Sequence, residues 1–306
     1  MTLSTAAKPP LSPGPVLWAG LALEAGIRAY VRLTGRRAPI AAHQWLAGPV
    51  GLPGRGGQSY YDDHAAAAQL RLVWNDPSAG LLPDFLALAG PDFDPLAIDP
   101  RVRAFYEHTA AYNLDAWSRW SWPFGALAWI LIALVSRRVD QMNLPLSPLD
   151  TSAGMTSEVI KLETADGSPA AYRGWFRRLR ESGRSIYAGF YTIAIPPRFG
   201  APCVKVVFPL PYGSATVLLR PEAKRDGSLL LVSRGLRFGD PGFYRVLQQD
   251  ETTLVARHVP AMHETIHVYI DTAGEMRTDH VFSFWSIPML QLRYKITPKA
   301  LVEPSA

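Results

Sequence analysis

The sequence predicts an α+β protein: an N-terminal, mainly helical region followed by a large antiparallel β-meander that closes into a barrel or cup. Two observations lead there. From about Pro15 to Asp150 the apolar residues recur at helical spacing in an Ala-rich background. From about Ser157 to Thr297 short Val, Ile, Leu, Phe and Tyr runs are separated by Gly, Pro and Asp-Gly breaks. None of those breaks has room for a crossover helix, so the runs should pair antiparallel, and a long meander tends to close and so remove its edges. The expected organisation is a tail over 1–15, a helical region over 16–150, a β region over 151–298 and a tail over 299–306.

Three helices are expected in the first half. Val16–Leu33 runs to Gly35, a suitable stop. Pro100–Trp117 follows Asp99, which can cap it, with Pro at the first helical position. Pro123–Met142 opens with thirteen residues, Pro123–Val135, that carry no charge. Trp117, Trp120 and Trp122 precede that stretch, Trp129 lies within it, and Arg137 and Arg138 follow. It is too short to span a bilayer, which needs about 20 residues. It predicts either a helix buried by its neighbours or an element touching a membrane surface, with Trp117, Trp120, Trp122 and Trp129 as the contact residues. Between these helices, the Gly51–Gly57 stretch lacks a phosphate-loop ending and reads as a flexible loop, and Asp62 or Asp63 should cap the Ala-rich run after it.

In the second half, strands are expected near 157–163, 171–178, 185–195, 203–209, 214–220, 228–234, 242–248, 252–259, 262–270, 276–285 and 288–296.

Composition narrows the function. Hydrophobic residues make up 48% of the 306 and charged residues 19%, enough for a sizeable core. The net charge is +5, but no dense basic block exists; Arg173, Arg177, Arg178, Arg180 and Arg184 are interleaved with aromatic residues and read as a solvated face, so no nucleic-acid partner is expected. Cys203 is the one cysteine, which excludes a disulfide framework and a cysteine metal cluster and fits a cytoplasmic, reducing setting. No signal peptide is expected, because Glu24 and Arg28 follow the first apolar run without a small-residue cleavage site.

His263-Glu264-Thr265-Ile266-His267 resembles the H-E-x-x-H motif of the zincin metalloproteases. That resemblance implies zinc held by His263 and His267, with Glu264 activating a water. The flanking residues point elsewhere. Met262, Ile266, Val268 and Ile270 are apolar and His263, Thr265, His267, Tyr269 and Asp271 polar, which is the period of a strand. In a strand the two histidines sit about 13 Å apart, from a rise of about 3.3 Å per residue, and cannot share one ion.

The strand also predicts a site of its own. Thr272-Ala273-Gly274 forms a three-residue hairpin loop that pairs Asp271 with Glu275. Ile266, Val268, Ile270, Met276, Phe282 and Phe284 then share one face, interrupted by Glu264 and His280 as diagonal neighbours. A one-residue slip would set Val268 against Asp279 and Ile270 against Arg277, which the apolar pattern rejects. On the other face His267 opposes Asp279 and Tyr269 opposes Arg277. The β region is similar in architecture to lipocalin-type cups that hold apolar ligands. The leading expectation is therefore a cup binding an apolar small molecule such as a lipid, polyketide or terpenoid, without cofactor. Glu264 and His280 would form an acid/base pair for cyclisation or isomerisation, and Tyr269, Arg277, Phe282 and Phe284 would contact the ligand. The alternatives are a zinc hydrolase and a non-enzymatic membrane-associated carrier or structural protein.

Overall fold

The computed structural model describes residues 15–125, 154–180 and 183–299. Within them lie three α-helices and fourteen strands joined in one antiparallel sheet. Helix α1 (Pro15–Thr34) ends where the Gly35 amide bonds the Val31 carbonyl; a Cβ at Gly35 would meet that oxygen at 2.5 Å. Helix α2 (Ser59–Ala68) starts before the acidic pair expected to cap it, and Asp63 instead pairs with Arg55, 3.0 Å from its Nε. Helix α3 (Pro100–Glu107) is capped by Asp99, whose carboxylate accepts from the Arg101 amide at 2.8 Å.

The first half also supplies three strands: β1 (Arg36–Pro39), β2 (Arg71–Trp74) and β3 (Tyr112–Trp120). The third corrects the expected helix over Pro100–Trp117, which stops at Glu107. In β3, Leu114, Ala116 and Ser118 are buried while Asn113, Asp115, Trp117 and Arg119 are exposed, the alternation of a half-buried strand. The apolar stretch beginning at Pro123 lies outside the described residues from residue 126 onward, as does Trp129.

The remaining strands follow the expected runs closely: β4 (Met155–Glu163), β5 (Pro169–Leu179), β6 (Ser185–Ala194), β7 (Cys203–Leu210), β8 (Gly213–Ala223), β9 (Leu229–Val232), β10 (Gly242–Gln248), β11 (Thr253–His258), β12 (Met262–Ile270), β13 (Met276–Phe284) and β14 (Ile287–Pro298). Their order in the sheet is β2-β4-β5-β6-β7-β8-β9-β12-β13-β14-β3. Two features depart from a closed meander. First, β8 divides one of its edges: Gly213–Leu218 pairs with β10, and Arg220–Ala223 pairs with β9. Strands β10, β11 and β1 therefore leave the main path as a branch, and β12 takes its place beside β9. Second, the ladder does not close into a barrel. Strand β3 approaches β4 without pairing, and β2 occupies the β4 edge over Ile160–Glu163 that closure would require.

The strands share a core on one face. Leu114 and Ala116 of β3, Ile186 of β6, Val204 and Val206 of β7, Val217 and Leu219 of β8, Val268 of β12 and Leu290, Leu292, Tyr294 and Ile296 of β14 belong to one buried cluster with Phe105 and Tyr106 of α3. Each such side chain contributes about 1.5–3 kcal/mol by leaving water. A smaller cluster under the β10–β11–β1 branch includes Ala38, Trp45, Leu46, Leu218 and Tyr244.

Candidate functional site

The β12–β13 hairpin positions the site. Asp271 and Glu275 bracket its loop, with the Asp271 amide donating to the Glu275 carbonyl at 2.9 Å, and Gly274 adopts the left-handed conformation (φ 80°) that the loop needs. The register pairs Ile270 with Met276, Val268 with Thr278, Ile266 with His280 and Glu264 with Phe282, as the apolar pattern requires. Glu264 and His280 are thus diagonal neighbours on the inner face. Their side chains meet, with His280 Nε2 2.6 Å from Glu264 Oε1. The two side chains are only 7% and 13% exposed, so this contact is shielded from bulk water.

The pair borders a cavity of about 90 Å³ on the core face of the sheet. At roughly 10–15 Å³ for a first water, the space suits several waters or a small organic group. Its wall is mostly apolar: Ile266, Phe282, Val206, Phe208, Leu231 and Leu292 are part of it. The His280 ring packs on Phe282, centroid to centroid 4.3 Å, and has Tyr294 at 6.4 Å. Glu264 is fixed by its backbone: its amide donates to Ser233 Oγ at 2.8 Å, and its carbonyl accepts from the Ser233 amide at 2.9 Å. With Nε2 turned to the carboxylate, Nδ1 has no hydrogen-bond partner among the described residues. That arrangement fixes the ring through one imidazole nitrogen.

Several polar residues of the wall come from strands distant in sequence. Tyr187 Oη donates to Tyr191 Oη at 2.6 Å. Both lie on β6, and they can meet because Gly189 stands between them: a Cβ there would sit 2.7 Å from the Tyr187 oxygen. Burial pushes both phenols well above the ordinary tyrosine value, so they remain protonated donors. Thr278 of β13 is buried beside them. Arg177 of β5 also borders the cavity and is buried, against the expectation that the Arg-rich stretch is a solvated face. The signal was present in the alternation: Trp175, Arg177 and Leu179 share a face of β5, so the arginine points where the apolar residues point. Its neighbour Arg178 faces the other way and pairs with Glu158 at 2.8 Å.

The outer face of the hairpin holds the other expected contacts. Tyr269 and Arg277 oppose one another there, in a shallow polar depression with Trp117, Asp279 and Arg293. Tyr269 Oη donates to Asp279 at 3.3 Å and Arg277 Nε to Asp271 at 2.9 Å. Of the four residues expected to contact ligand, Phe282 borders the cavity with Glu264 and His280. Tyr269 and Arg277 lie across the sheet from it, and Phe284 lies at the exposed end of β13.

The zincin resemblance is corrected by β12. His263 and His267 both lie in the strand and engage opposite ends of β9: His267 Nε2 is 2.8 Å from Ser228 Oγ, while His263 neighbours Ser233. Four residues of strand separate them by about 13 Å. No group of three or more metal-ligating side chains occurs among the described residues.

The tryptophans expected to share a membrane contact are also divided by alternation. Trp117 is exposed on the outer face of β3, Trp120 packs against the core on the inner face, and Trp122 is exposed beyond the strand end.

No known family model matches the chain, and no solved structure matches it. The chain is similar to the uncharacterized membrane protein YndJ of Bacillus subtilis (strain 168), with 28% identity over 232 residues. That match covers 75% of this chain and 40% of YndJ, so the chain spans about two fifths of the relative's length.

Proposed function

We propose that the cavity beside Glu264 and His280 binds a small, largely apolar molecule and that the pair moves a proton on it, in an isomerisation or cyclisation. The observation that carries this is a carboxylate–imidazole contact of 2.6 Å on the wall of an otherwise apolar cavity. In the proposed step His280 Nδ1 takes a proton from the ligand, Glu264 stabilises the imidazolium, and the same nitrogen returns the proton to another atom. Nothing is oxidised or reduced, and no cofactor is required. Exclusion of water strengthens the ion pair that forms and protects a carbanionic or enolic intermediate. The cavity's size favours a compact ligand, or the end of a longer chain, over a whole lipid.

Native mass spectrometry of the full chain, purified without detergent or chelator, tests the binding. An organic adduct lost in a Phe282→Trp variant that fills the cavity supports it. A clean protein mass, together with a Glu264→Leu variant more stable than wild type, sinks it and leaves a structural pair. Once a ligand is known, Glu264→Gln should lower turnover by about 10²-fold or more while leaving folding intact.

A second reading concerns where the protein works. No helix among the described residues is long and apolar enough to cross a membrane. Yet Phe284, Trp285 and Ile287 form an exposed tip between β13 and β14, and Trp122 joins them, because the Ser121 amide bonds the Met289 carbonyl at 3.0 Å. Trp122 is 91% and Trp285 64% exposed. In sequence, Trp122 immediately precedes the uncharged stretch 123–135. The word membrane in the relative's name adds weight to a lipid surface as the contact. This tip, rather than a row of four indoles, is the membrane contact we propose. Co-sedimentation with phosphatidylcholine vesicles should fall at least tenfold in a Trp122→Ser, Trp285→Ser variant. Wild-type protein that stays in the supernatant would refute it.

A further inference from the structure

Arg177 differs from Lys205, another buried cation of the sheet. Lys205 is fully buried on β7, and its ammonium is saturated: it donates to the carbonyls of Gln44 and Ala47 and to Tyr172 Oη. Arg177 is only 4% exposed and has no such set. Its Nε is buried without a hydrogen-bond partner, and among the described residues its only side-chain hydrogen bond runs from Nη2 to the Met155 sulfur at 3.8 Å and no carboxylate pairs with it. Its guanidinium lies over two aromatic faces instead, 5.1 Å from the Trp175 ring and 4.8 Å from that of Tyr294. Burying a cation without a polar partner is costly, and aromatic faces offset only part of that cost. Trp175, Arg177 and Tyr294 all border the cavity that holds Glu264 and His280.

We infer that Arg177 is the anchor for an anionic head group, and that the ligand of the proposed cavity is a small carboxylic acid with an apolar body. This rests on the cavity being a binding site. The guanidinium is a planar fork that matches a planar carboxylate, and the unbonded Nε is one half of that fork. A singly charged head also suits the surroundings. Arg177 is the one arginine among the described residues that line the cavity, and Glu264 lines it too, so each further negative charge on a ligand, as on phosphate, adds repulsion. Tyr294 neighbours both the guanidinium and the His280 ring, which places the head group near one end of a ligand whose adjacent carbons reach the imidazole. Proton abstraction next to a carboxylate or along an unsaturated acid is the chemistry such a placement serves.

The test uses the full chain with hexanoate, 1-hexanol and hexyl phosphate, followed by tryptophan fluorescence and by calorimetry. Hexanoate should bind at least tenfold more tightly than hexanol. Arg177→Met, which keeps an apolar stem of similar length, should lower hexanoate affinity at least tenfold and leave hexanol unchanged, and Arg177→Lys should restore part of the loss. Equal binding of hexanoate and hexanol to wild-type protein overturns the anchor while leaving the cavity as a binding site. Tighter binding of hexyl phosphate overturns the carboxylate assignment. No binding of any of the three overturns the anchor and the cavity reading together. The wild-type comparison decides the matter even if the Met variant does not fold.

Discussion

The two faces of the β12–β13 ribbon carry the same residue types and use them differently. Inside, Glu264 and His280 are offset diagonally and bond at 2.6 Å in a closed, apolar setting. Outside, His267 and Asp279 are directly opposed and do not bond: His267 turns to Ser228 and stacks on Tyr269, while Asp279 accepts from Tyr269 and pairs with Arg293. The outer pair is the nearer in sequence and in register, yet it is the inner pair that bonds. Burial is what differs, and burial decides whether a carboxylate and an imidazole must find each other or can each find water. A solvated charge on the outer face has many partners of similar worth. A carboxylate on the inner face has one, and that exclusiveness is what makes the inner pair a candidate for chemistry.

The largest expected effect follows from that difference. His280→Ala strands the Glu264 carboxylate in the cavity and should cost about 3–5 kcal/mol in urea unfolding at pH 7. His267→Ala removes one partly exposed bond to Ser228 and should cost about 1 kcal/mol. Equal losses would break the comparison. The double change Glu264→Leu, His280→Leu sharpens it: replacing a buried polar pair by apolar groups should recover most of the stability while eliminating any turnover.

Gly189→Ala comes next. A methyl group at that position enters the space of the Tyr187 ring and should cost about 1–3 kcal/mol, because the ring must leave its place along β6. Ligand affinity should change with it, since the Tyr187–Tyr191 hydrogen bond is part of the cavity wall. A melting temperature and an affinity both equal to wild type would mean that the wall tolerates rearrangement.

Lys205 repeats the two-face theme on β7, where Val204 and Val206 point into the main core and the lysine points the other way. Burial pushes its amine down to about 7, while the three oxygens around it help to hold the proton. The unfolded chain titrates near 10.5, so between about pH 7 and 10.5 it binds more protons than the folded one. Stability should therefore rise with pH across that window, by at most about 1.4 kcal/mol per pH unit, and Lys205→Met should flatten the rise. A wild-type profile that falls between pH 7 and 9 would contradict this assignment.

These contrasts also mark what the chain discloses before it folds. The β12–β13 pair was legible because one loop, Thr272-Ala273-Gly274, sets the register, and a slip of one residue would bury Asp279 and Arg277. The strands from β4 to β14 were legible for a similar reason: each is a short alternating run between turn residues. Strand β3 was hidden because Tyr112–Trp120 follows a well-capped helix with no Gly or Pro between them, and four-residue β2 is too short to show a period. Closure into a barrel fails because β2, a strand of the first half, takes an edge that no local signal reserves for it. Arg177, Tyr187 and Tyr191 join Glu264 and His280 only through the order of strands in the sheet, which is a long-range property. Among them only Arg177 left a local trace, as a charge on an apolar face.

The smallest expected effects belong to the outer face and test the comparison from its other side. Arg293 is 74% exposed and Asp279 39%, with 3.3 Å between Arg293 Nε and Asp279 Oδ1. Such pairs contribute about 0–1 kcal/mol, because water competes for both charges and two flexible side chains must be held in place. Arg293→Ala should thus shift the unfolding midpoint barely, and the shift should vanish in 1 M NaCl, where screening shortens the reach of surface charges to about 3 Å. Arg277→Ala should behave in the same way, since its partner Asp271 also stands in the hairpin loop within reach of solvent. Neither substitution should alter binding of a carboxylate ligand, because the sheet lies between these residues and Arg177. A loss of ligand affinity in Arg277→Ala that matches the loss in Arg177→Met would place the binding site on the outer face, in the depression beside Trp117 and Tyr269, and the inner cavity would then be packing alone.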